Sequence, residues 1–478
     1  MAHADSPQDD LTQYDLATLA DKFRRREASP IAVTEAYLAR IEATEPRLNA
    51  YITVTAEVAR AAARDAEEEI GRGDWRGPLH GIPIALKDLC HTRGIRTTAG
   101  SKILADFIPG HDATVYRRLR EAGAVLLGKL NLHEFAAGAS SNNPHYGPVR
   151  NPYDIERIPG GSSGGSAAAL AARSALGTIG TDTGGSIRIP AALSGCVGLK
   201  PTYGRVSRYG VAPLAYSVDH VGPMARTVRD AALMLNVIAG HDRDDSTSST
   251  EPVPDFTAAL GEDIAGIRLG VVEELCRGLD SEVERSFNAA LETLAGAGAQ
   301  IDRISIPGLT SAAARAARTL IVRAEALEIH ERWLLERPAD YGDDVRKLLE
   351  LGIAVPASSY VRAQRVRALM LAQSQSALAK FDLLVSPACP ISAPRIGEES
   401  LKMPDGSVLM VLPALAICCA PFNATGQPAI AVPSGLSSTG LPIAIQFAGR
   451  AFDEAGVLRA AYAYESLRGA LPPPLAFA

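Results

Sequence analysis

Two glycine- and serine-rich loops at the ends of one alanine-rich segment constrain this chain more than any other feature. Residues 160–165 read G-G-S-S-G-G, and residues 183–186 read T-G-G-S. The segment between them, residues 167–176, consists mostly of strong helix formers, so we expect a helix directly after the first loop. Glycine-rich loops leave backbone N–H groups accessible, and a serine among such groups can act as a nucleophile beside its own oxyanion hole.

A lysine lies inside an apolar run upstream of both loops. Residues 81–88 read G-I-P-I-A-L-K-D, which predicts a buried strand over residues 82–86 followed by Lys87. A lone lysine in such a run commonly lies at a strand edge with its charge in water. Burial instead disfavours the charged form, and a neutral lysine is a competent base. Lys87 and the two loop serines therefore suggest Ser-Lys hydrolytic chemistry that needs no histidine.

Short apolar runs alternate with helical patterns from residue 82 onward. This alternation predicts an α/β fold, preceded by three helices over residues 11–72. Residues 310–380 are mostly helical in pattern, and we expect them to form a cap over the core. The predicted strands cover residues 82–86, 124–128, 195–199, 267–272, 383–386, 429–432 and 443–449.

Charge and composition argue against several functional classes. The 478-residue chain has 48 basic and 54 acidic side chains, a net charge of −6 and no basic patch, which disfavours general nucleic-acid binding. The six cysteines have no C-x-x-C spacing, so a disulfide framework is not expected. No apolar run reaches the roughly 18 residues that span a bilayer, and residues 1–6 lack the apolar core of a signal peptide. We therefore expect a soluble cytoplasmic protein.

The spacing alone leaves other interpretations of these residues open. For residues 183–186 the alternative is a glycine turn whose serine only caps the next helix. For residues 160–165 the alternatives are a flexible linker or a phosphate-binding loop, although no G-K-[ST] follows. Ser162 satisfies the G-x-S-x-G nucleophile pattern, but it follows a loop instead of the apolar strand that this pattern requires. His133 and His220 are competing bases, for which a structural role or a place at a pocket rim is the alternative.

Taken together, these segments resemble the amidase signature family. Residues 160–169 resemble its first serine loop, residues 180–190 (G-T-D-T-G-G-S-I-R-I-P) its core motif, and residues 81–88 its lysine strand. The spacings of 75 residues from Lys87 to Ser162 and 24 residues from Ser162 to Ser186 fit the family as well. The resemblance runs from about residue 12 to the end of the chain, and it includes residues 198–202, 219–223 and 421–428.

The resemblance implies a role for each residue. Ser186 is the nucleophile, Ser162 relays the proton from a cis peptide after Gly161, and Lys87 is the terminal base. The reaction passes through an acyl-enzyme and gives an acid plus ammonia or an amine, without a metal or an organic cofactor. The oxyanion hole is formed by the backbone N–H groups of Thr183, Gly184, Gly185 and Ser186.

The resemblance also implies a fold. We expect a large mixed β-sheet flanked by helices on both faces, in one amidase domain over residues 1–478. Residues 1–75 are expected to form an N-terminal helical segment packed on the core, and residues 310–380 a helical, cap-like insertion.

The substrate is less well determined by the sequence. Within the family, the chain is most similar to stand-alone amidases and to the A subunit of glutamyl-tRNA amidotransferase. That subunit carries Tyr-Asp-Gly and Arg-(Phe/Tyr)-Gly segments where this chain reads R-A-E-A-L-E-I-H at residues 323–330, and residues 437–440 lack an acidic side chain for the amino group of glutamine. Arg367 matches the position where the subunit holds a carboxylate, and an arginine on a helix surface is the alternative interpretation. The expected substrate-binding residues are Gly138, Ala139, Ser140 and Arg367.

Our main hypothesis from the sequence is a stand-alone amidohydrolase that acts on small or aryl amides. The alternative is the glutaminase A subunit of a glutamyl- or aspartyl-tRNA amidotransferase, and a non-catalytic scaffold is a third possibility against which the retained catalytic positions argue. The main hypothesis carries expectations about partners. These are a small-molecule amide as substrate, no direct nucleic-acid binding, no membrane association and a homodimer.

Overall fold

The structure is a computed structural model that describes residues 10–404 and 406–477. Residues 1–9, which include the residues used to predict the absence of a signal peptide, lie outside the described part. Within the described residues, none of the helices combines the length and the apolar character needed to cross a bilayer. The cytoplasmic location stays a prediction.

A mixed β-sheet lies at the centre of the fold. The strands of the described residues are β1 (Tyr51–Val54), β2 (Pro83–Lys87), β3 (Val125–Leu130), β4 (Asn142–Asn143), β5 (Gly147–Pro148), β6 (Gly177–Asp182), β7 (Val197–Lys200), β8 (His220–Ala225), β9 (Arg268–Val272), β10 (Gln300–Ile304), β11 (Leu383–Pro387), β12 (Ser400–Lys402), β13 (Val408–Met410), β14 (Ala429–Leu436) and β15 (Pro442–Ala448). Eleven of them form one sheet in the order β1-β3-β2-β6-β8-β7-β14-β15-β11-β9-β10. Its central pairs β6–β8, β8–β7 and β7–β14 are antiparallel, whereas β3–β2, β2–β6, β11–β9 and β9–β10 are parallel.

Helices connect these strands and pack against the sheet. In the described residues they are α1 (Leu16–Arg24), α2 (Pro30–Leu48), α3 (Ala56–Arg72), α4 (Thr114–Glu121), α5 (Gly164–Ala171), α6 (Arg188–Ser194), α7 (Val228–Ile238), α8 (Ser281–Gly296), α9 (Ala312–Glu336), α10 (Asp343–Ile353), α11 (Ala357–Leu378), α12 (Val411–Ala416), α13 (Ala420–Ala424) and α14 (Glu454–Arg468). Short 3-10 turns cover Leu11–Gln13, Glu134–Ala136, Glu273–Cys276, Pro307–Leu309, Pro338–Asp340 and Leu475–Phe477.

The local sequence explains where several helices begin. Ser29 caps α2 by accepting a hydrogen bond from the Ala32 N–H, and Pro30 takes the first helical position. Helix α5 starts three residues earlier than the sequence predicts, at Gly164, and stops at Ala171. The early stop coincides with Arg173, which adopts a positive φ of 58° and turns the chain toward β6.

Four strands of the large sheet were not predicted from the sequence. β1 reads Y-I-T-V and is too short to stand out between two helices, and β10 has no fully buried residue. β6 reads G-T-I-G-T-D and β8 reads H-V-G-P-M-A, so both lack the apolar run or alternation that marks a strand. These two strands lie side by side near the middle of the sheet, where packing of both faces compensates for their weak local preference.

The α/β class and the large mixed sheet with flanking helices are confirmed. An apolar core rich in Leu, Ile, Val and Ala fills the space between the sheet and its helices. The residues of β2, β3 and β6 are all buried, as is typical of parallel strands covered on both faces. Helices α9, α10 and α11 pack on one another. The division into one domain with an N-terminal segment and a cap-like insertion stays a prediction.

Candidate active site

Lys87 is the last residue of β2, which lies between β3 and β6 in the large sheet. Its side chain is fully buried. The Nζ atom lies 2.7 Å from Ser162 Oγ and 2.8 Å from Thr181 Oγ1. Strand β2 pairs in parallel with β6, with Leu86 opposite Ile179, so the end of β2 lies beside Thr181. The sheet thus places the lysine amine against one of the two predicted serines.

Burial changes the protonation of this lysine. Removal from water lowers the pKa of Lys87 to about 7, although Cys90, Asp182 and Asp219 favour the charged form. An amine with a pKa near neutrality is unprotonated in a large fraction of molecules at pH 7 to 8. It can then accept a proton from the Ser162 hydroxyl, which makes it suitable as a general base.

Ser162 lies in the first glycine loop, and its peptide bond with Gly161 is cis. The Ser162 carbonyl oxygen accepts hydrogen bonds from the His133 N–H at 3.1 Å and from Ser141 Oγ at 3.2 Å. A side chain at Gly161 would place its Cβ 2.8 Å from Ser141 Oγ and 2.9 Å from the carbonyl carbon of Ala139. The loop needs glycine because the neighbouring segment approaches its backbone so closely.

Ser186 lies in the second glycine loop, just before α6. The Ser163 N–H donates to the Ser186 carbonyl oxygen at 3.2 Å, so the two predicted serine loops are hydrogen-bonded to each other. Ser186 is nearly buried, with 7% of its surface exposed, whereas Ser162 is fully buried. The arrangement fits a nucleophile that substrate can reach and a relay that it cannot.

Asp182 and Arg188 fix the shape of the second loop. Asp182 Oδ1 accepts the Gly185 N–H at 2.7 Å, and Oδ2 accepts the Ile187 N–H at 3.1 Å. Arg188 Nε and Nη2 each lie 3.0 Å from one of these carboxylate oxygens. Asn423 Nδ2 donates to the Asp182 carbonyl oxygen and to Oδ1, both at 2.8 Å. A buried, fully bonded carboxylate therefore holds the turn that carries Ser186.

The ion pair also sets the charge of Asp182. Burial alone would raise the pKa of this carboxyl, but the adjacent Arg188 guanidinium holds it below its usual value. Asp182 is therefore ionised at neutral pH. Since the Gly185 N–H is directed at this carboxylate, three of the four predicted oxyanion-hole donors remain. The N–H groups of Thr183, Gly184 and Ser186 have no hydrogen-bond acceptor among the residues that the structure describes.

A cavity of about 210 Å³ lies against these loops. Its lining includes Thr181, Thr183, Arg208, Tyr216, Asp219 and His220. Thr183 Oγ1 donates to Asp219 Oδ1 at 2.5 Å, and Asp219 Oδ2 accepts the N–H groups of Leu214 and Ala215. The cavity therefore contacts the segment that precedes Ser186, which makes it the candidate space for a substrate.

The two histidines considered as bases have other partners. His220 Nδ1 lies 2.7 Å from the Val218 carbonyl oxygen, and burial together with the Lys200 charge holds the pKa of His220 well below its usual value. His133 Nε2 lies 2.8 Å from Asp344 Oδ2, and Nδ1 lies 3.3 Å from Ser140 Oγ. In the described part of the chain, neither ring forms a hydrogen bond with the side chains of Lys87, Ser162 or Ser186.

The predicted substrate-binding residues fall into two groups. Gly138, Ala139 and Ser140 lie beside the Gly161–Ser162 peptide, as the contact at Ala139 shows. Arg367 lies on α11, where its Nε donates to the Ala424 carbonyl oxygen at 2.7 Å.

Arg367 also has an electrostatic link to the cavity. Burial raises the pKa of Tyr203, and the Arg208 and Arg367 charges oppose that rise. The Tyr203 ring contacts the ring of His220, a residue that lines the cavity. The positive charge of Arg367 is therefore close to Tyr203, which packs against His220 of the cavity lining.

Two contributors to the site were not singled out from the sequence. Thr181 contacts Lys87, and Asp219 holds Thr183. Thr181 lies in β6, whose sequence has no strand pattern, so its place beside Lys87 could not be predicted. Asp219 precedes His220, which was the candidate considered in residues 219–223. Its hydrogen bond with Thr183, in the loop that carries Ser186, is evident only from the structure.

Comparisons with known proteins agree on one family. A sequence model of the family described as Amidase matches residues 32–458. The A subunit of glutamyl-tRNA(Gln) amidotransferase from Geobacter metallireducens is 45% identical to this chain, over 95% of this chain and 97% of the relative.

Solved structures resemble this fold over nearly its whole length. One belongs to a vestigial protein complex that reveals the evolutionary origins of an s-triazine catabolic enzyme. It is 36% identical with a TM-score of 0.90, covering 95% of this chain and 98% of its own. The native peptide amidase of Stenotrophomonas maltophilia is 34% identical with a TM-score of 0.85, covering 97% and 98%.

The expectation about partners is wrong. A homodimer whose only partner is a small-molecule amide, with no direct nucleic-acid binding, does not agree with relatives that are named as subunits of an amidotransferase for glutamyl-tRNA(Gln). The net charge of −6 was the basis for predicting no nucleic-acid binding, but it describes only the average surface of one chain. A subunit of an assembly need not itself carry the surface that contacts nucleic acid.

Proposed function

This chain belongs to the Amidase family of enzymes that act on amide C–N bonds, and from that premise we propose that it is the glutamine-hydrolysing A subunit of a glutamyl-tRNA amidotransferase. Support for the chemistry comes first from one contact, the 2.7 Å approach of Lys87 Nζ to Ser162 Oγ in a fully buried position. Support for the subunit comes from 45% identity over nearly the whole length of both chains.

The proposed reaction begins with acyl transfer to Ser186. Its Oγ attacks the amide carbonyl carbon while its proton passes through the Ser162 hydroxyl to the neutral amine of Lys87. The N–H groups of Thr183, Gly184 and Ser186 stabilise the negative oxygen that forms. When the C–N bond breaks, the proton returns from Lys87 through Ser162 to the leaving nitrogen, and ammonia departs. Water then cleaves the Ser186 ester and releases the acid.

Arg367 is our proposed contact for the carboxylate of glutamine. It has a fixed position because Nε is bonded to Ala424 and Nη1 lies 3.3 Å from Gln364 Oε1. Gly138, Ala139 and Ser140 would contact the substrate on the Ser162 side. In the proposed assembly, partner subunits and tRNA use the ammonia that this site releases.

A second candidate is hydrolysis of a different carboxamide, and the region 323–330 favours it. The glutaminase segments expected there are absent, and α9 instead places Glu325 against Ser217, with Oε2 accepting the Ser217 N–H at 2.9 Å. The likeness to a peptide amidase and to a complex connected with s-triazine catabolism is compatible with another substrate.

Ammonia release tests the proposal. The chain is purified alone and together with its partner subunits, and both preparations receive glutamine and a panel of aliphatic, aryl, ureido and peptide amides. We expect ammonia from glutamine in the assembly, lost in Ser186→Ala and retained in the exposed control Ser281→Ala. Ammonia from another amide without any from glutamine would favour the second candidate. No ammonia from any amide in either preparation would overturn the proposal.

A further inference from the structure

Residues 138–141, named the substrate wall here because they include the expected substrate-binding residues, pack against the loop that carries Ser162. Ser141 Oγ donates to the Ser162 carbonyl oxygen at 3.2 Å and accepts the Gly164 N–H at 3.1 Å. Ala139 lies directly against Gly161. A shift of this segment would therefore move the surface that faces a substrate bound beside Ser162.

His133 packs against the backbone of the substrate wall. A Cβ at Gly138 would lie 2.2 Å from the Cε1 and Nε2 atoms of the imidazole, so the ring lies flat against the backbone of the segment. His133 Nδ1 is 3.3 Å from Ser140 Oγ, and the His133 N–H donates to the Ser162 carbonyl oxygen. The same residue thus contacts both the wall and the serine loop.

Asp344 bonds to the other side of the His133 ring. It lies in the first turn of α10, and its Oδ2 is 2.8 Å from His133 Nε2. Burial raises the pKa of Asp344, but the hydrogen bond from His133 brings it below its usual value. An ionised carboxylate only accepts hydrogen bonds, so Nε2 carries the proton. In the neutral ring Nδ1 is then an acceptor, and the Ser140 hydroxyl donates to it.

A second contact joins the same two regions. Glu134 Oε2 accepts the Gly342 N–H at 2.7 Å, and Oε1 accepts Ser101 Oγ at 2.5 Å. The Phe135 ring packs against the ring of His330 on α9, with centroids 4.4 Å apart. The turn before α10 is therefore attached to residues 133–135, and Asp344 keeps a fixed place relative to the substrate wall.

We propose that Asp344 is a positioning residue that acts through His133 and Ser140 to set the shape of the substrate wall formed by residues 138–141. The inference rests on the proposed amide hydrolysis at Ser186. Asp344 does not touch the reacting groups. Asp344 fixes the tautomer of His133, and the tautomer fixes the direction of the Ser140 hydroxyl. The hydrogen bond from Ser140 Oγ to His133 Nδ1 then holds residues 138–141 against the loop that carries Ser162.

Steady-state ammonia release from the preferred amide tests this chain of contacts. We expect Asp344→Ala to raise KM about tenfold and to change kcat less than about twofold, since a charge-assisted hydrogen bond on a half-exposed carboxylate is worth about 1.5 kcal/mol. Asp344→Asn should restore most of the affinity, because its amide oxygen still accepts the Nε2–H. The matched control is Asp343→Ala, an acid in the same helical turn that pairs with Arg346 at 3.0 Å instead. It should leave both constants unchanged.

A double-mutant cycle identifies the route. If Asp344 acts through Ser140, then Asp344→Ala in a Ser140→Ala background should raise KM no further. Additive effects, an unchanged KM in Asp344→Ala, or an equal effect of Asp343→Ala would overturn the proposal.

A spectroscopic readout separates this inference from the proposed function. The nitrogen spectrum of ¹⁵N-histidine-labelled protein, with His133 assigned by loss of its signal in His133→Gln, should show the Nε2–H tautomer in the wild type and a mixture in Asp344→Ala. A proton on Nδ1 in the wild type would overturn the inference even if amide hydrolysis is observed. Absence of turnover with an Nε2–H ring would instead count against the proposed function.

Discussion

The Lys87 amine lies at the end of β2 with two hydroxyl partners and no exposed surface. The same burial that makes it a base also opposes folding. The pKa of the lysine is 10.5 in the unfolded chain, whereas the pKa of Lys87 in the folded protein is about 7. Between these values the unfolded state binds more protons, so the stability of the protein rises with pH over this range.

Activity should follow the titration of Lys87. We expect kcat/KM for amide hydrolysis to rise with pH through about 7 and then to level off, because only the neutral amine can take the proton from Ser162. Lys87→Ala should lower kcat/KM by roughly 10² to 10⁴ and remove this rise. Stopped assays of ammonia at constant ionic strength give both profiles. A wild-type profile that is flat from pH 6 to 9 would show that another group is the base.

Replacing the lysine should stabilise the fold while it abolishes the chemistry. At pH 7 and below, the lowered pKa of Lys87 destabilises the folded state by roughly 5 kcal/mol, a cost that the variant does not have. The variant also loses the two hydrogen bonds of the amine, which stabilise the wild type by about 1 kcal/mol each. Lys87→Met should therefore raise the free energy of unfolding by roughly 3 kcal/mol at pH 7. Urea unfolding at several pH values measures the difference between the two proteins. It should shrink toward pH 10, and a difference that does not change with pH would contradict this account.

At the scale of elements, the turn from β6 into α6 depends on one buried ion pair. Arg188 is fully buried and bonds to Asp182, to Asn423 Oδ1 at 2.7 Å and to Gln446 Oε1 at 2.7 Å. The turn, α13 and β15 therefore share one network. Loss of the arginine would leave the Asp182 carboxylate buried beside backbone N–H groups without its counterion.

We expect Arg188→Met to cost about 3 to 5 kcal/mol of unfolding free energy at pH 7 and to abolish turnover. In the wild type the pKa of Asp182 is depressed, so its contribution to stability is present at neutral pH and is lost as the pH falls. In the variant that pKa rises above its unfolded value, so the deficit should be largest at neutral pH and smaller near pH 5.

Urea unfolding of wild type and variant at both pH values measures this. The control is Arg332→Met, since Arg332 is exposed and its one ion pair among the described residues is with Glu336, one turn away. It should change stability by no more than about 0.5 kcal/mol. A deficit in Arg188→Met no larger than in the control would show that the turn does not depend on the pair.

The elements with strong local patterns could be predicted from sequence, and the central strands could not. β2, β9 and β15 carry apolar runs and lie within two residues of their predicted bounds. β6 and β8 contain Gly, Thr and Pro223, and they are strands because neighbours on both sides complete their hydrogen bonds. The candidate site follows the same division. Lys87, Ser162 and Ser186 stand out in recognisable motifs, whereas nothing in the sequence shows that Thr181 contacts Lys87 or that Asp344 contacts His133.

At the scale of the whole molecule, the fold joins segments that are far apart in sequence. Lys87 and Ser162 are 75 residues apart, Arg188 and Gln446 are 258 apart, and His133 and Asp344 are 211 apart. The proposed assembly with other subunits leaves no mark in the net charge or composition of one chain, because these carry no record of a partner's surface. Only the resemblance to the family offered the A subunit as an alternative.

Trapping the acyl-enzyme tests the central claim, that this fold assembles a nucleophile at Ser186. Protein quenched in acid during turnover of its preferred amide, under the conditions in which ammonia release is found, is examined by intact mass spectrometry and peptide mapping. We predict one acyl group per chain, on the peptide that contains Ser186, and none in Ser186→Ala. An acyl group on Ser162 or on another residue, or turnover that persists in Ser186→Ala, would contradict the account.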